Sequence, residues 1–147
     1  MSSIKDYLTH DHRKCDDMFA DMEKKATNSF MDAHEAYKEF AHELEKHFQM
    51  EEKVMFLEFE AKTGMTQGPT QMMRQEHSQM RGLLSQMADA FDTNNQDKFF
   101  GLSETLMILM QQHNMKEEQM LYPMAQQHLS ADANRIITMM ESIDFEL

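Results

Sequence analysis

The segments HFQMEEKVMF, residues 47–56, and HNMKEEQMLY, residues 113–122, are copies of one another. Each copy places a glutamate four residues after a histidine, and the resulting pairs are His47 with Glu51 and His113 with Glu117. An α-helix has about 3.6 residues per turn, so it stacks the two side chains of such a pair on one face. The duplication therefore predicts two helices that each present an imidazole beside a carboxylate.

Two further histidines extend the duplication. His12 and His77 lie at matching distances upstream of the two copies, and an acidic residue precedes each of them, Asp11 and Glu76. The residue counts from each upstream histidine to the next turn, and from that turn to its copy, are nearly equal. Antiparallel packing then brings the two histidines of each hairpin level. We therefore expect a repeated helical hairpin with all four histidines at one depth.

Composition excludes several function classes. A formal net charge of −12 argues against binding of nucleic acid or of an anionic membrane surface, because both require clusters of Lys and Arg. The sequence has no apolar run of about 20 residues and no apolar secretory signal at its N-terminus. We therefore expect a cytoplasmic protein. Cys15 is the only cysteine, which excludes an intrachain disulfide and leaves His, Asp and Glu as metal donors.

The positions of helix-breaking and helix-capping residues predict the fold. With Gly 4 and Pro 2 among 147 residues, few positions force a helix to stop. We expect one domain over residues 1–147, an all-α, antiparallel up-down four-helix bundle with a short C-terminal fifth helix. Its helices should run from Ser3 to about Thr27, from after Ser29 to Lys62, from about Thr70 to Phe91, from after Asn95 to about His128, and from Ala131 to Ile143.

Two details of this bundle stay open. Pro123 should kink or end the fourth helix, because proline lacks a backbone donor and clashes with the preceding turn. The stretch from His47 to Gly64 is about twice the stretch from Pro69 to His77. Either the second helix overhangs the bundle, or residues 62–69 fold back along its side.

Six ionisable side chains fall on the inward apolar stripes of the four helices, and the stripe of the fourth helix continues through Met120 and Met124. A lone histidine on such a stripe is more often a hydrogen-bonded core residue than a ligand. Buried carboxylates without a partner cost several kcal/mol each, so two core glutamates require something positive beside them. A di-metal centre in the bundle core meets that requirement. The predicted metal ligands are His12, His47, Glu51, His77, His113 and Glu117.

The other histidines fall off the stripes and should face solvent; they are His10, His34, His42 and His128. Glu39 and His42 form a single Glu-x2-His pattern. Ferritin-like di-iron bundles use two such patterns, so that fold is disfavoured.

The order His, His-x3-Glu, His-x3-Arg, His-x3-Glu resembles the hemerythrin-like, HHE cation-binding domain. That resemblance implies a four-helix bundle around a non-haem di-iron centre. Oxygen-carrying members have His-x3-His in the third helix and His-x4-Asp in the fourth, whereas this chain has Arg81 and Glu117. Glu118 stands at the position of that aspartate and is an alternative ligand.

The resemblance implies two Fe ions joined by an oxo or hydroxo bridge, with Mn or Zn as substitutes. If both glutamates bridge the ions and each ion keeps two histidines, each has four protein donors and an exchangeable position. Open positions on both ions favour reaction over reversible oxygen storage. Arg81 could hydrogen-bond a peroxide at this centre as a catalytic residue, or it could simply pair with an acid.

Three functions fit such a centre. The first is reaction with peroxide or oxygen, such as a catalase-like disproportionation of H2O2. The second is binding or sensing of O2, NO or iron, and the third is iron donation for the repair of iron–sulfur clusters. All three involve a small molecule or the metal itself, and the sequence indicates no protein partner.

The 18 methionines have two interpretations. Most should fill the core, because methionine adapts to irregular gaps. Alternatively, exposed ones, such as Met72, Met115 and Met139, protect the centre by forming reversible sulfoxides.

Overall fold

The computed structural model describes residues 3–144, so the domain expected over residues 1–147 extends beyond the described residues at both ends. Seven α-helices make up the described chain, together with two π-helical turns, Glu51–Met55 and Glu117–Leu121. Short 3-10 turns precede α2 and α7. The helices are α1 (Ile4–Asn28), α2 (His34–Met50), α3 (Phe56–Thr63), α4 (Pro69–Asp92), α5 (Gln96–Lys116), α6 (Tyr122–Leu129) and α7 (Ala133–Glu141).

The π turns join α2 to α3 and α5 to α6, so the chain forms four long rods and the short α7. The hairpin of α1 with α2 and the hairpin of α4 with α5 are the most extensive contacts, and α7 packs on the end of the bundle formed by α1 and the first π turn. The predicted all-α bundle with a fifth C-terminal helix is therefore confirmed. Among residues 3–144, no helix combines the length and the apolar character needed to cross a membrane.

Most predicted helix ends are close to the observed ones. The side chain of Ser3 accepts a hydrogen bond from the backbone N–H of Asp6 at 2.9 Å and caps α1. Gly64 ends α3 in the left-handed region, with φ 76°. The last helix differs: Ser130 lies in a 3-10 turn and makes no side-chain cap, and α7 begins only at Ala133.

Pro123 lies in the first turn of α6, just beyond the second π turn. In that turn the N–H of Tyr122 donates to the carbonyl of Glu117, five residues back. The missing donor of Pro123 is tolerated there because prolines fit the first turn of a helix. The helix therefore does not end at Pro123 but continues to Leu129, and the π turn that precedes it also occurs at Glu51–Met55, where there is no proline.

The π turn also changes which residues face the core. The sequence predicts Met120 on the inward stripe, but this side chain is 55 % exposed, whereas Leu121 and Tyr122 are buried. The wide turn contains one residue more than an α-helical turn, which rotates the following helix by about 100°. That prediction was therefore wrong for Met120, and Met124 is only half-buried for the same reason.

Contacts of Glu60 settle how the second rod meets α4. Its carboxylate accepts hydrogen bonds from the Thr70 hydroxyl at 2.6 Å and from the Arg74 guanidinium. The start of α4 therefore lies level with Glu60, near the end of α3. Further along α4, His77 contacts Glu52. The second rod and α4 thus run side by side from Glu60 to Glu52.

Two apolar clusters form the core, one at each end of the bundle. The cluster near the two hairpin turns contains stacked aromatic rings, among them Phe30 and Phe91 with centroids 4.7 Å apart. The other cluster joins α3, α6 and α7 to the start of α1 and includes Phe59 and Ile136. In the first, third and fourth rods, the predicted histidines and glutamates fall between the residues of one cluster and those of the other. In the second rod, His47 and Glu51 flank the boundary between the two clusters, which lies between Phe48 and Met50.

Candidate metal centre

The structure brings all six predicted ligands together in two overlapping groups. Within each group, every residue offers a nitrogen or oxygen atom, and these atoms all lie within 4.8 Å of one another. All six side chains are buried. The first group is His12, His47, Glu51 and Glu117, and the second group is Glu51, His77, His113 and Glu117.

Each histidine turns its Nε2 atom toward the shared glutamates. His12 Nε2 and His113 Nε2 lie 3.0 and 3.2 Å from Glu117 Oε1. His77 Nε2 lies 3.0 Å from Glu51 Oε1. The rings of His12 and His47 have centroids 4.6 Å apart, and those of His77 and His113 are 4.9 Å apart. The prediction that the two histidines of each hairpin lie level is therefore confirmed.

A second set of acids, which we call the outer carboxylates, binds the Nδ1 atom of every histidine. Each outer carboxylate is adjacent in sequence to one of the six residues but contacts a histidine on another helix. This contact favours a proton on Nδ1 and leaves the lone pair of Nε2 directed at the centre. The contacts are Asp11 to His47 at 2.7 Å, Glu52 to His77 at 2.6 Å, Glu76 to His113 at 2.7 Å, and Glu118 to His12 at 2.7 Å.

The position of Glu118 answers one question that the sequence leaves open. Glu118 lies in neither group of donors, because its carboxylate is occupied by His12 and by the guanidinium of Arg13 at 2.8 Å. Glu117 is the residue that points into the centre.

Arg81 pairs with acids, which is one of its two expected roles. Its guanidinium donates to both carboxylate oxygens of Glu45, at 2.8 and 2.9 Å, and to both oxygens of Glu52, at 3.0 and 3.1 Å. It also lies over the ring of Phe48, 5.2 Å from the centroid. Arg81 thus reaches the centre only through Glu52, which binds the Nδ1 atom of His77.

Tyr122 is a residue of the centre that the sequence did not single out. Its hydroxyl oxygen lies 2.7 Å from Glu51 Oε2 and 3.0 Å from Glu117 Oε1. The same oxygen lies 3.0 Å from His12 Nε2 and 3.3 Å from His47 Nε2. The hydroxyl therefore contacts every member of the first group. Only the π turn brings it there, so an α-helical pattern gives no signal for it.

The donor atoms fit a metal cation. Four buried atoms of the centre make no hydrogen bond, namely Glu51 Oε1, His77 Nε2, His113 Nε2 and Glu117 Oε2. Such atoms cost free energy unless a partner satisfies them, and a cation is the partner that carboxylate oxygens and imidazole nitrogens share. Nitrogen and oxygen donors without sulfur suit iron, manganese or zinc.

Comparison with known families agrees with this geometry. The family model described as the hemerythrin HHE cation binding domain matches residues 3–125. The chain belongs to the hemerythrin family. The matched residues include both groups of donors. No curated protein and no solved structure matches the chain. Cation binding is therefore the activity on which the family and the buried donors of this hemerythrin domain agree.

Charges in the hemerythrin centre balance in the absence of metal. Burial opposes the charged form of Glu52, yet hydrogen bonds from His77 and Arg81 lower its pKa to about 2. Burial likewise disfavours charge on His113, but the carboxylate of Glu117 raises its pKa to about 9. The pKa of Glu117 is held well below its usual value, against the effect of burial, by the charge of His113 and by hydrogen bonds. Burial also opposes charge on His47 and His77, but the carboxylates beside them raise the pKa of both imidazoles. Protons on these histidines thus take the place of the cation, and metal binding releases them.

The remaining histidines lie outside both groups of donors. His10 and His128 are exposed, as expected. His34 and His42 are half-buried, which corrects the expectation that they face solvent. His34 stacks on Phe91 with centroids 4.8 Å apart, an aromatic contact that an off-stripe position does not reveal. Cys15 is buried among apolar side chains, and its burial raises the pKa of the thiol to about 12.

Proposed function

We propose that this hemerythrin domain holds two iron ions, one in each group of donors, and disproportionates hydrogen peroxide. The observation that carries the proposal is the sharing of both glutamates by two four-residue groups. Glu51 and Glu117 would each contribute to both ions, and each ion would keep two histidines. Nitrogen and carboxylate donors of this kind support non-haem iron in helical bundles.

Two iron ions held by these donors would supply two-electron redox chemistry, through which two H2O2 would give two H2O and one O2. The protein's own groups prepare the site for this exchange. The outer carboxylates fix each imidazole by its Nδ1 atom, so Nε2 faces the centre. The apolar clusters on both sides exclude bulk water and bulky reductants from the donors.

Oxygen-carrying hemerythrins have a second histidine one turn after the position of His77. This chain has no histidine there. Arg81 occupies that position, and its guanidinium is directed to Glu45 and Glu52. No fifth histidine of residues 3–144 joins either group of donors. Because no third histidine holds either ion, an exchangeable coordination position remains for peroxide, which supports reaction over a stable oxygen complex.

Iron content and peroxide consumption test the proposal together. We expect two iron ions per chain in the wild-type protein and O2 evolution when H2O2 is added. Glu117→Gln removes a charge shared by both groups, so the variant should lose at least one iron and most of the O2 evolution. His10→Gln, a change of an exposed histidine, should retain both.

Two iron ions retained in Glu117→Gln would overturn the ligand assignment. A wild-type protein that forms a stable, reversible oxygen complex and evolves no O2 from peroxide would instead support oxygen binding or sensing.

A further inference from the structure

The duplication that builds the centre is broken at one position inside it. In the aligned copies, Tyr122 corresponds to Phe56, because each follows its histidine by nine residues. Tyr122 places a hydroxyl among the donors of the first group, whereas Phe56 packs its ring against His77 with centroids 5.8 Å apart. The two halves therefore offer the same histidines and glutamates but only one phenol.

Hydrogen bonding divides the donor atoms in the same way. The Tyr122 hydroxyl contacts both imidazole donors of the first group, His12 Nε2 and His47 Nε2, together with Glu51 Oε2 and Glu117 Oε1. The four atoms of the centre that make no hydrogen bond include both imidazole donors of the second group, His77 Nε2 and His113 Nε2, with Glu51 Oε1 and Glu117 Oε2. The imidazoles of the first group thus contact a phenol hydroxyl, and those of the second group do not.

The distances around the hydroxyl match those between neighbouring donors of one metal ion. Metal–nitrogen and metal–oxygen bonds are about 2.0 to 2.2 Å long, so donors at right angles around an ion lie about 3 Å apart. The Tyr122 oxygen lies 2.7 to 3.3 Å from its four neighbours. Among the described residues, its hydroxyl has no hydrogen-bond acceptor outside the centre.

A small cavity lies beside the second group, next to Glu76, the outer carboxylate of His113. This cavity of about 30 Å³ opens between α4 and α5 and is lined by His113, Glu76, Met80 and Gln112, among others. A cavity of this size exceeds the roughly 10–15 Å³ that one water molecule needs. It borders a histidine of the second group and none of the first.

We propose that Tyr122 is a fifth protein donor to the ion in the first group, so that exogenous small ligands bind at the ion in the second group. When the bond forms, the phenol O–H bond breaks, its electron pair binds the ion, and the proton leaves to solvent. The inference rests on the proposed function in that both groups hold iron. It goes further because it makes the two ions inequivalent and assigns the reacting position to His77 and His113.

Visible spectroscopy of the iron(III)-loaded protein tests the donor role. A phenolate bound to iron(III) gives a charge-transfer band in the visible range, and we expect it in the wild-type protein. Tyr122→Phe should abolish the band while Tyr7→Phe retains it, because the Tyr7 hydroxyl contacts only Met50 Sδ, at 3.7 Å. Loss of one of the two irons in Tyr122→Phe alone would also support a donor role.

Azide, an anion that binds open positions on iron(III), tests the assignment of the reacting ion. Titration should give one azide per wild-type chain and two per Tyr122→Phe chain, since removal of the hydroxyl opens the first position. A band that persists unchanged in Tyr122→Phe, or two azides bound by the wild-type protein, would overturn the inference.

Iron content separates the failure of this inference from that of the proposed function. A wild-type protein with two irons and no phenolate band contradicts only the role of Tyr122. A protein that binds no iron contradicts the proposed function and, with it, this inference.

Discussion

At the scale of single residues, the inner donors could be predicted and their supports could not. His12, His47 and Glu51 fall on apolar stripes, and burial of an imidazole or a carboxylate there demands a partner. The outer carboxylates are visible in the sequence only as acids beside these residues. Asp11 precedes His12 yet binds His47, and this exchange between helices depends on the register of the packed bundle. Spacing along one helix therefore cannot assign the partners.

The partners of Arg81 could not be assigned from the sequence either. The sequence permits either a role at the centre or a pairing with an acid, and its contacts with Glu45 and Glu52 are set by the neighbouring rod. Arg13 plays the corresponding part at another outer carboxylate, since its guanidinium donates to Glu118. The two arginines differ in exposure, with 33 % for the Arg81 side chain and 57 % for Arg13.

This difference predicts unequal effects on stability. Arg81→Gln leaves two largely buried carboxylates without their shared cation, so it should lower the free energy of unfolding by about 1–2 kcal/mol. Arg13→Gln removes two ion pairs of an exposed side chain, with Glu118 and Asp16, and should change it by less than about 0.5 kcal/mol. Urea unfolding of the metal-free proteins measures both. Equal effects of the two substitutions would contradict the prediction.

At the scale of elements, the order and approximate ends of the helices follow from capping residues and apolar periodicity. The two π turns do not, because a pattern of buried residues assumes a constant 3.6-residue period. Both turns begin at a glutamate of the centre, Glu51 and Glu117. In a regular helix the stripe would continue to Met120, whereas the extra residue brings Leu121 and Tyr122 inward. Both copies contain their π turn at the same offset, four residues after the histidine.

The junction between α3 and α4 depends on one glutamate. Glu60 is largely buried, and the hydrogen bond from Arg74 is the main cause that lowers its pKa. Because the pKa is lowered in the folded protein, the ion pair stabilises the fold at pH values above 4.5, the ordinary pKa of glutamate. This contribution is lost as the pH falls through the folded pKa.

Glu60→Gln should therefore lower the free energy of unfolding by about 1 kcal/mol at pH 7. The difference from the wild-type protein should persist to about pH 5 and disappear below the folded pKa. Urea unfolding at pH 7, 5 and 3, with metal-free protein, measures this. Glu58→Gln is the matched control, because Glu58 pairs with the exposed Arg135 and should have no measurable effect. A difference that grows as the pH falls would contradict the assigned sign.

At the scale of the whole molecule, the metal centre divides the core instead of forming it. Phe30, Phe91 and their neighbours pack at the hairpin turns, and Phe59, Ile136 and their neighbours pack at the opposite end. Each cluster buries apolar side chains from several helices without a metal ion. The division follows from the sequence, because each histidine of the centre interrupts an apolar stripe. We conclude that apolar burial carries the fold and that the metal adds stability to it.

Zinc separates this added stability from redox chemistry. Zn²⁺ binds the same nitrogen and oxygen donors but has no accessible second oxidation state. At free zinc about 100 times the dissociation constant, each site should stabilise the protein by about 2.7 kcal/mol, which raises the melting temperature by roughly 5–10 °C. The metal-free protein should keep nearly the same helical circular dichroism, because both clusters remain packed.

The zinc-loaded protein should evolve no O2 from peroxide, whereas the iron-loaded protein should. If the zinc-loaded protein consumed peroxide at the rate of the iron-loaded one, the redox role of the ions would be disproved. If helicity were lost when the metal is removed, the conclusion that the two apolar clusters pack without metal would be disproved.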